Sequence, residues 1–252
     1  MPDPAFQLHL RLIMEVREDL ASGGVAITDR DHPGYTKVQE DWPKSNPKGY
    51  ARWFEARMRP VAILLMEKRA EKALYASIDD VPTYKWKTPL QRAIQILKRH
   101  RDIMFRDDPD GKPISMIVTT LAALCYEGEG DLGTAVTNIV AKMPDCVGDR
   151  SPRIPNPVQP EEDFADRWGE DTRLQENFWR WHSQFEADLA EVTRPLDKEP
   201  LGKVLSARFG ISLRMESLNA LAKLGGASQV GKTWAPAIVV IKDPPKPWSR
   251  GV

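Results

Sequence analysis

Net charge is the first thing this sequence lacks. Its 36 basic and 36 acidic residues cancel, which argues against a binder of bulk polyanions, nucleic acid included, and leaves room only for a local basic patch. Cysteine is nearly absent as well. Cys125 and Cys146 are too few for a disulfide framework, and Cys125 sits in an apolar run where a buried free thiol in a reducing cytoplasm is expected. No apolar stretch reaches the roughly 20 residues that would span a bilayer. The opening "MPDPAFQLHL" has no basic flank followed by an apolar stretch, so no signal peptide is expected. There is no internal repeat and no long low-complexity tract. The four histidines, His9, His32, His100 and His182, show no metal-ligand spacing with one another or with the cysteines, and no G-x-S-x-G elbow occurs.

What remains is 252 residues, 41% apolar and 29% charged, enough for one large domain or two small ones. Residues 6–16 and 24–29 read as short, weakly alternating strands. After Pro47 the pattern turns helical, first to Pro60 and then in a second helix that starts at that proline. The clearest helix covers 88–104: Thr88 and Gln91 form a capping box, Pro89 suits the first helical position, and Leu90, Ile94 and Leu97 make the buried stripe. An almost uniformly apolar helix follows at about 114–126, suited to the middle of a bundle. Leu132, Ala135, Val136, Ile139, Val140 and Met143 mark another. Residues 144–163 read as a proline-rich connection. Thr172 and Gln175 form a second capping box, ahead of a face of Leu174, Phe178, Trp181, Phe185 and Leu189. Gly210 and Gly225 suit helix C-termini, and the tail from Thr233 is rich in proline. The expected fold is mainly α with an α+β remnant at the front: remnant strands over 1–46, a helical lobe over 47–232, and a proline-rich tail over 233–252.

Three features imitate sites. Gly226, Gly231, Lys232 and Thr233 in "LGGASQVGKTW" fit the phosphate-loop pattern, yet that loop needs a strand before it and a helix after it. Here a helix precedes and "WAPAIVV" follows, so a helix end and a solvated loop are expected. Asp29 and Asp31 would share a strand face, but they run into a turn. Asp108 and Asp110 fall in a loop between helices.

"WPKSNPKGYARWF" (42–54), "TPLQRAIQILKRHRD" (88–102) and "KPISMIVTTLAALCY" (112–126), followed by "IPNPVQPEEDFADRW" (154–168), carry more. In this order they resemble the bacterial cGAS/DncV-like nucleotidyltransferases (CD-NTases), the signal-synthesising enzymes of CBASS antiphage defence. The likeness runs from about Gly24 to about Gly225. It implies a helical lobe packed on a mixed α/β nucleotidyltransferase core, in the cytoplasm. It also implies nucleoside triphosphates of the ATP/GTP class as ligands, joined into cyclic di- or trinucleotides, and leaves room for CBASS accessory proteins as partners. By the same resemblance the triphosphate is expected to be held by Lys98 and Ser115, the positions that match the family's lysine and serine. Residue by residue, Lys98 borders the buried stripe, where a lysine either snorkels or points into a cleft. Ser115 either caps its helix or donates to phosphate. Arg99 and Arg101 are positive potential or solvated surface. Asn46 starts a turn, and Trp53 and Phe54 pack between lobes.

The same resemblance implies Mg²⁺ for the complete family enzyme, held by two carboxylates after a Gly-Ser loop and by a third on a neighbouring strand. The first two elements have no match in the 23 residues before Gly24. In "LHLRLIMEV" the better register puts Arg11 at the acidic position, and the other offers Glu15. These residues therefore correspond to the back two-thirds of such an enzyme, with no catalytic or metal-binding residue assigned. The alternatives are a truncated or mis-started synthase, a separately expressed lobe, and a degenerate, non-catalytic nucleotide- or partner-binding scaffold. Apolar surface left near Trp42, Trp53 and Phe54 would favour self-association.

Overall fold

The computed structural model describes residues 1–27, 42–73, 87–193 and 198–211. Helix dominates among them, and strands occur only as two short antiparallel pairs. Two compact units separate: Met1–Gln95 with Pro113–Phe178, and Ile96–Lys112 with the described residues from Trp179 on. The phosphate-loop look-alike at Lys232, Asp29 and Asp31, His32, Gly225 and the tail lie outside the described residues.

The first unit opens with a correction. Residues Pro4–Leu12 form helix α1, where a strand is expected from alternation. The start signal is local: the Asp3 carboxylate accepts the Phe6 N–H at 3.0 Å, and Pro4 occupies the first helical position. The helix buries Phe6 and Leu10 with Val16, Leu20, Ala21 (from the short α2, Glu18–Ala21) and Val158. Leu8 and Leu12, the other members of the alternating set, stay 47% and 61% exposed. Of the strand expected over 24–29, Val25–Ala26 forms β1, paired with β2 (Lys44–Ser45).

Helix α3 runs Pro47–Ala73 without a break at Pro60, contrary to the expected division. A proline ring removes one intrahelical N–H, and the turns on either side carry the helix across it. Helix α4 (Pro89–Met104) carries the expected capping box: Thr88 N–H donates to Gln91 Oε1 at 3.0 Å and Gln91 N–H to Thr88 Oγ1 at 3.3 Å. Leu90, Ile94 and Leu97 are buried. Helices α5 (Ser115–Cys125) and α6 (Leu132–Lys142) pack together, and Asp131 caps α6 through the Thr134 N–H at 2.8 Å. Asp108 accepts the Gly111 N–H at 3.1 Å, as a turn residue does.

The expected proline-rich connection is more ordered than its composition suggests. It holds a 3₁₀ turn (Pro144–Cys146) and a hairpin of β3 (Pro155–Asn156) and β4 (Gln159–Asp163). Side chains supply the bonds that prolines cannot. Asn156 Oδ1 accepts the Val158 N–H at 3.0 Å, and the Asp163 carboxylate accepts the N–H groups of Arg153, Ile154 and Ala165, each at 2.9 Å. Helix α7 (Thr172–Thr193) is capped one residue earlier than expected, by Asp171, whose carboxylate accepts the Arg173 N–H at 3.0 Å.

The second unit contains the end of α4, most of α7 and α8 (Lys198–Phe209), which stops at Gly210 with φ +62°, as that glycine suggests. His100 and Asp188 pair in its interior at 2.9 Å, and the imidazole packs on Phe185 and Phe209. Burial pushes the His100 imidazole below its ordinary pKa, against the opposing pull of Asp188.

Candidate functional site

Ser115 belongs to the first unit and Lys98 to the second. Each is positioned by its own neighbours. Ser115 is the first residue of α5 and is exposed, and its carbonyl accepts the Thr119 hydroxyl at 2.7 Å. The N-cap is Ile114, which has no side-chain cap bond. Ser115 is therefore not the capping residue of the plain structural reading; it stands one position inside the helix.

Contacts from α3 hold α5 in place. Tyr50 Oη and Thr120 Oγ1 share a hydrogen bond at 2.8 Å, and burial pushes the Tyr50 phenol upward. Arg57 covers the other end of α5, its guanidinium donating to the Ala123 carbonyl at 2.7 Å, the Leu124 carbonyl at 3.1 Å, and the Tyr126 carbonyl. A cation there satisfies orphan carbonyls and opposes the negative end of the helix dipole. The start of α3 is set by Asn46, which does more than open a turn. Its Oδ1 accepts the Gly49 N–H at 3.0 Å, and its Nδ2 donates to the carbonyls of Leu20 and Val158, both at 3.1 Å. One carboxamide thus ties "SNPKGY" to α2 and to "IPNPVQP". Periodicity carries no trace of this, because the partners lie 26 and 112 residues away.

In the second unit Lys98 is half-buried on α4. Burial pushes its ammonium below the ordinary lysine range, Arg101 adds to the effect, and Asp102 opposes it. Arg101 is not solvated surface: its side chain is 4% exposed and forks onto Asp102 Oδ1 at 2.8 and 3.1 Å. Lys112 Nζ approaches the same oxygen at 3.6 Å. Arg99 lies against Gly210. Arg101 and Lys112 therefore share the Asp102 carboxylate, and Lys98 stands one helical turn before it on α4. Basic side chains grouped in this way can hold an anion. Asp102 and Lys112 were legible only as members of the quoted stretches.

The described residues do not fit the magnesium that the resemblance implies. The segment expected to bring the third carboxylate is α1. Arg11 there pairs with Glu18 at 3.2 Å, and Glu15 lies exposed beyond the end of the helix with φ +54°. Among the described residues no group of three or more His, Cys, Asp or Glu is arranged around a metal position. The apolar surface is also placed differently from expectation. Trp42 is buried and Trp53 and Phe54 are half-buried, while Leu12, Ile13, Leu64 and Met66 are exposed. Among the described residues no helix is long and apolar enough to cross a membrane.

No family model matches the chain. A c-di-GMP synthase of Roseivirga ehrenbergii is 30% identical over 188 residues, which is 73% of this chain and 49% of that protein. The chain thus spans about half the length of the curated relative it matches. Among solved structures, the CD-NTase CdnG of Bradyrhizobium diazoefficiens in complex with GTP is similar at 23% identity with a TM-score of 0.48, over 74% of this chain and 57% of that one. Identity at the level seen with the Roseivirga synthase, carried across nearly three quarters of the sequence, is inheritance and not chance, and the chain belongs to the CD-NTase family of nucleotidyltransferases.

Proposed function

We propose that this chain is the triphosphate-gripping, mainly helical part of a cyclic-oligonucleotide synthase, and that these 252 residues by themselves do not turn over nucleoside triphosphates. The observation that carries the binding half is the half-buried Lys98, one helical turn before Asp102, the carboxylate that Arg101 and Lys112 pair with. A half-buried ammonium is disfavoured by lost hydration. Phosphate oxygens beside it favour the charged form, so binding raises the proton affinity of Lys98. Ser115 and the backbone N–H groups at the start of α5 are neutral donors suited to the same ligand class. The inactivity half rests on residues: neither a Gly-Ser loop nor a paired-carboxylate strand is matched here, and the better register of the family resemblance puts Arg11 at the third acidic position, with Glu15 as the other. Antiviral signalling in the cytoplasm belongs to the same proposal and rests on the family resemblance.

Titration calorimetry with ATP and GTP tests the grip. Binding is expected to be weak, and Lys98→Ala should reduce it roughly ten- to a hundredfold, since a charge-assisted contact contributes about 1.5–3 kcal/mol. Lys98→Met, which keeps the apolar stem, separates loss of charge from loss of packing. Lys232→Ala should leave the affinity unchanged. Silence at Lys98 with loss at Lys232 would overturn the reading in favour of the phosphate-loop pattern, and no heat up to millimolar nucleotide would leave a scaffold. Incubation of the pure chain with labelled NTPs and Mg²⁺ or Mn²⁺ should give no cyclic product. Turnover at a steady rate would sink the claim of inactivity and leave the binding claim standing.

A further inference from the structure

The two cysteines, 21 positions apart in a chain that has no others, meet in the first unit with their sulfurs 3.1 Å apart. Both are free thiols. Cys125 is the last residue of α5 and is 3% exposed, and Cys146 ends the 3₁₀ turn Pro144–Cys146 and is half-buried. Their backbones are fixed by local bonds: Tyr126 N–H to the Ala122 carbonyl at 3.1 Å, and Cys146 N–H to the Met143 carbonyl at 3.1 Å, with Met143 itself buried. A disulfide requires a sulfur separation of about 2.05 Å, so closure asks for about 1 Å of side-chain movement. A metal clamp does not suit the pair, because among the described residues no third His, Cys, Asp or Glu joins it.

We propose that Cys125 and Cys146 are a redox modification site, a dithiol that closes reversibly to an intramolecular disulfide and locks the end of α5 to the turn after α6. The order of events follows from exposure. Cys146 is the sulfur an oxidant can reach. Burial and the neighbouring thiol push Cys125 well above the ordinary cysteine range, which makes it the resolving partner. With a glutathione-type disulfide as oxidant, the Cys146 thiolate attacks one sulfur, forms a mixed disulfide and releases one thiolate. Cys125 then attacks the Cys146 sulfur, its proton passing to the second thiolate released. Two protein thiols are oxidised and one small disulfide is reduced to two thiols. In a reducing compartment such a bond is transient and responds to the disulfide poise. The bond fixes the far end of the helix that begins at Ser115, whatever that serine binds.

The test uses the full chain, fully reduced and then exposed to glutathione disulfide. Intact mass should fall by two hydrogens per chain, both thiols should be lost to a thiol reagent, and the species should stay monomeric relative to its reduced control. Closing a loop of this length should raise Tm by roughly 5–10 °C, and dithiothreitol should reverse it. Cys125→Ser should trap a stable glutathione adduct at Cys146, and Cys146→Ser should show neither adduct nor Tm rise. A persistent adduct on the unaltered chain, an intermolecular dimer, or the same Tm rise in Cys146→Ser would each overturn the proposal.

Discussion

Replacing Asp163 with alanine is expected to destabilise the first unit by about 4 kcal/mol, from the loss of a charged acceptor that several backbone donors share. One carboxylate organises the whole "IPNPVQPEED" hairpin. It accepts the N–H groups of Arg153, Ile154 and Ala165 at 2.9 Å each, and the Ser151 hydroxyl at 3.2 Å. Two of these bonds, from Ile154 and Ala165, are buried, so water does not replace the lost acceptor and each stranded donor carries its desolvation cost. Asp163→Asn keeps the shape but turns one acceptor into a donor facing donors, and should cost more than half as much. A drop in Tm of roughly 10 °C corresponds to the alanine figure in a chain of this size.

The same carboxyl gives a signed pH dependence. Burial alone would raise it, but the bonds from Ile154, Arg153, Ala165 and Ser151 outweigh burial and hold it below the ordinary aspartate value. The folded chain therefore binds fewer protons here than the unfolded chain just below pH 4. The stabilisation is complete above the unfolded value of about 3.9 and is lost as the pH falls through the lower folded value. Denaturant titrations at neutral pH and at mildly acidic values down to pH 3 should show that Asp163→Asn flattens this portion of the acid profile. An alanine variant within 1 kcal/mol of the original, a bound set by the 1–3 kcal/mol cost of one stranded donor, would remove Asp163 from this role.

Asn46→Ala is expected to cost about 3 kcal/mol, by stranding two buried carbonyls and uncapping a helix together. Asn46 is 1% exposed. Both N–H groups of its carboxamide are used, donating to Leu20 and Val158, and its oxygen accepts from Gly49. Gly49 packs so tightly on it that any Cβ would collide with the Asn46 side chain and the Leu20 carbonyl. The informative variant is Asn46→Asp. Aspartate is as good an N-cap as asparagine, so a residue that only caps α3 would tolerate it. Here a carboxylate would face two carbonyl oxygens without a donor between them, and the cost should equal or exceed that of alanine. Thermal melts of the two variants decide: a near-neutral Asn46→Asp reduces Asn46 to the turn-starter that its sequence context alone suggests.

The elements read correctly from sequence are those whose cause lies within about one helical turn. Thr88, Pro89 and Gln91 make the start of α4 on their own, and Gly210 ends α8, because capping and left-handed termini are local events. The buried stripe of Leu90, Ile94 and Leu97 follows from period alone. The position of Lys98 beside that stripe, half-buried, was legible for the same reason.

Tertiary structure decided the rest. Phe6, Leu8, Leu10 and Leu12 alternate like a strand, yet the core of the first unit takes only Phe6 and Leu10, and the segment is helical. Pro60 looked like a boundary, and the long α3 passes through it. Arg101 read equally as positive potential or as solvated surface, and it is buried and paired with Asp102. Asn46 reaches a carbonyl 112 residues away, Tyr50 a hydroxyl 70 away, and Cys125 a thiol 21 away. Periodicity and caps report only on neighbours in the chain. Which polar group must satisfy which distant partner is settled when packing excludes water, and that exclusion is a property of the folded chain.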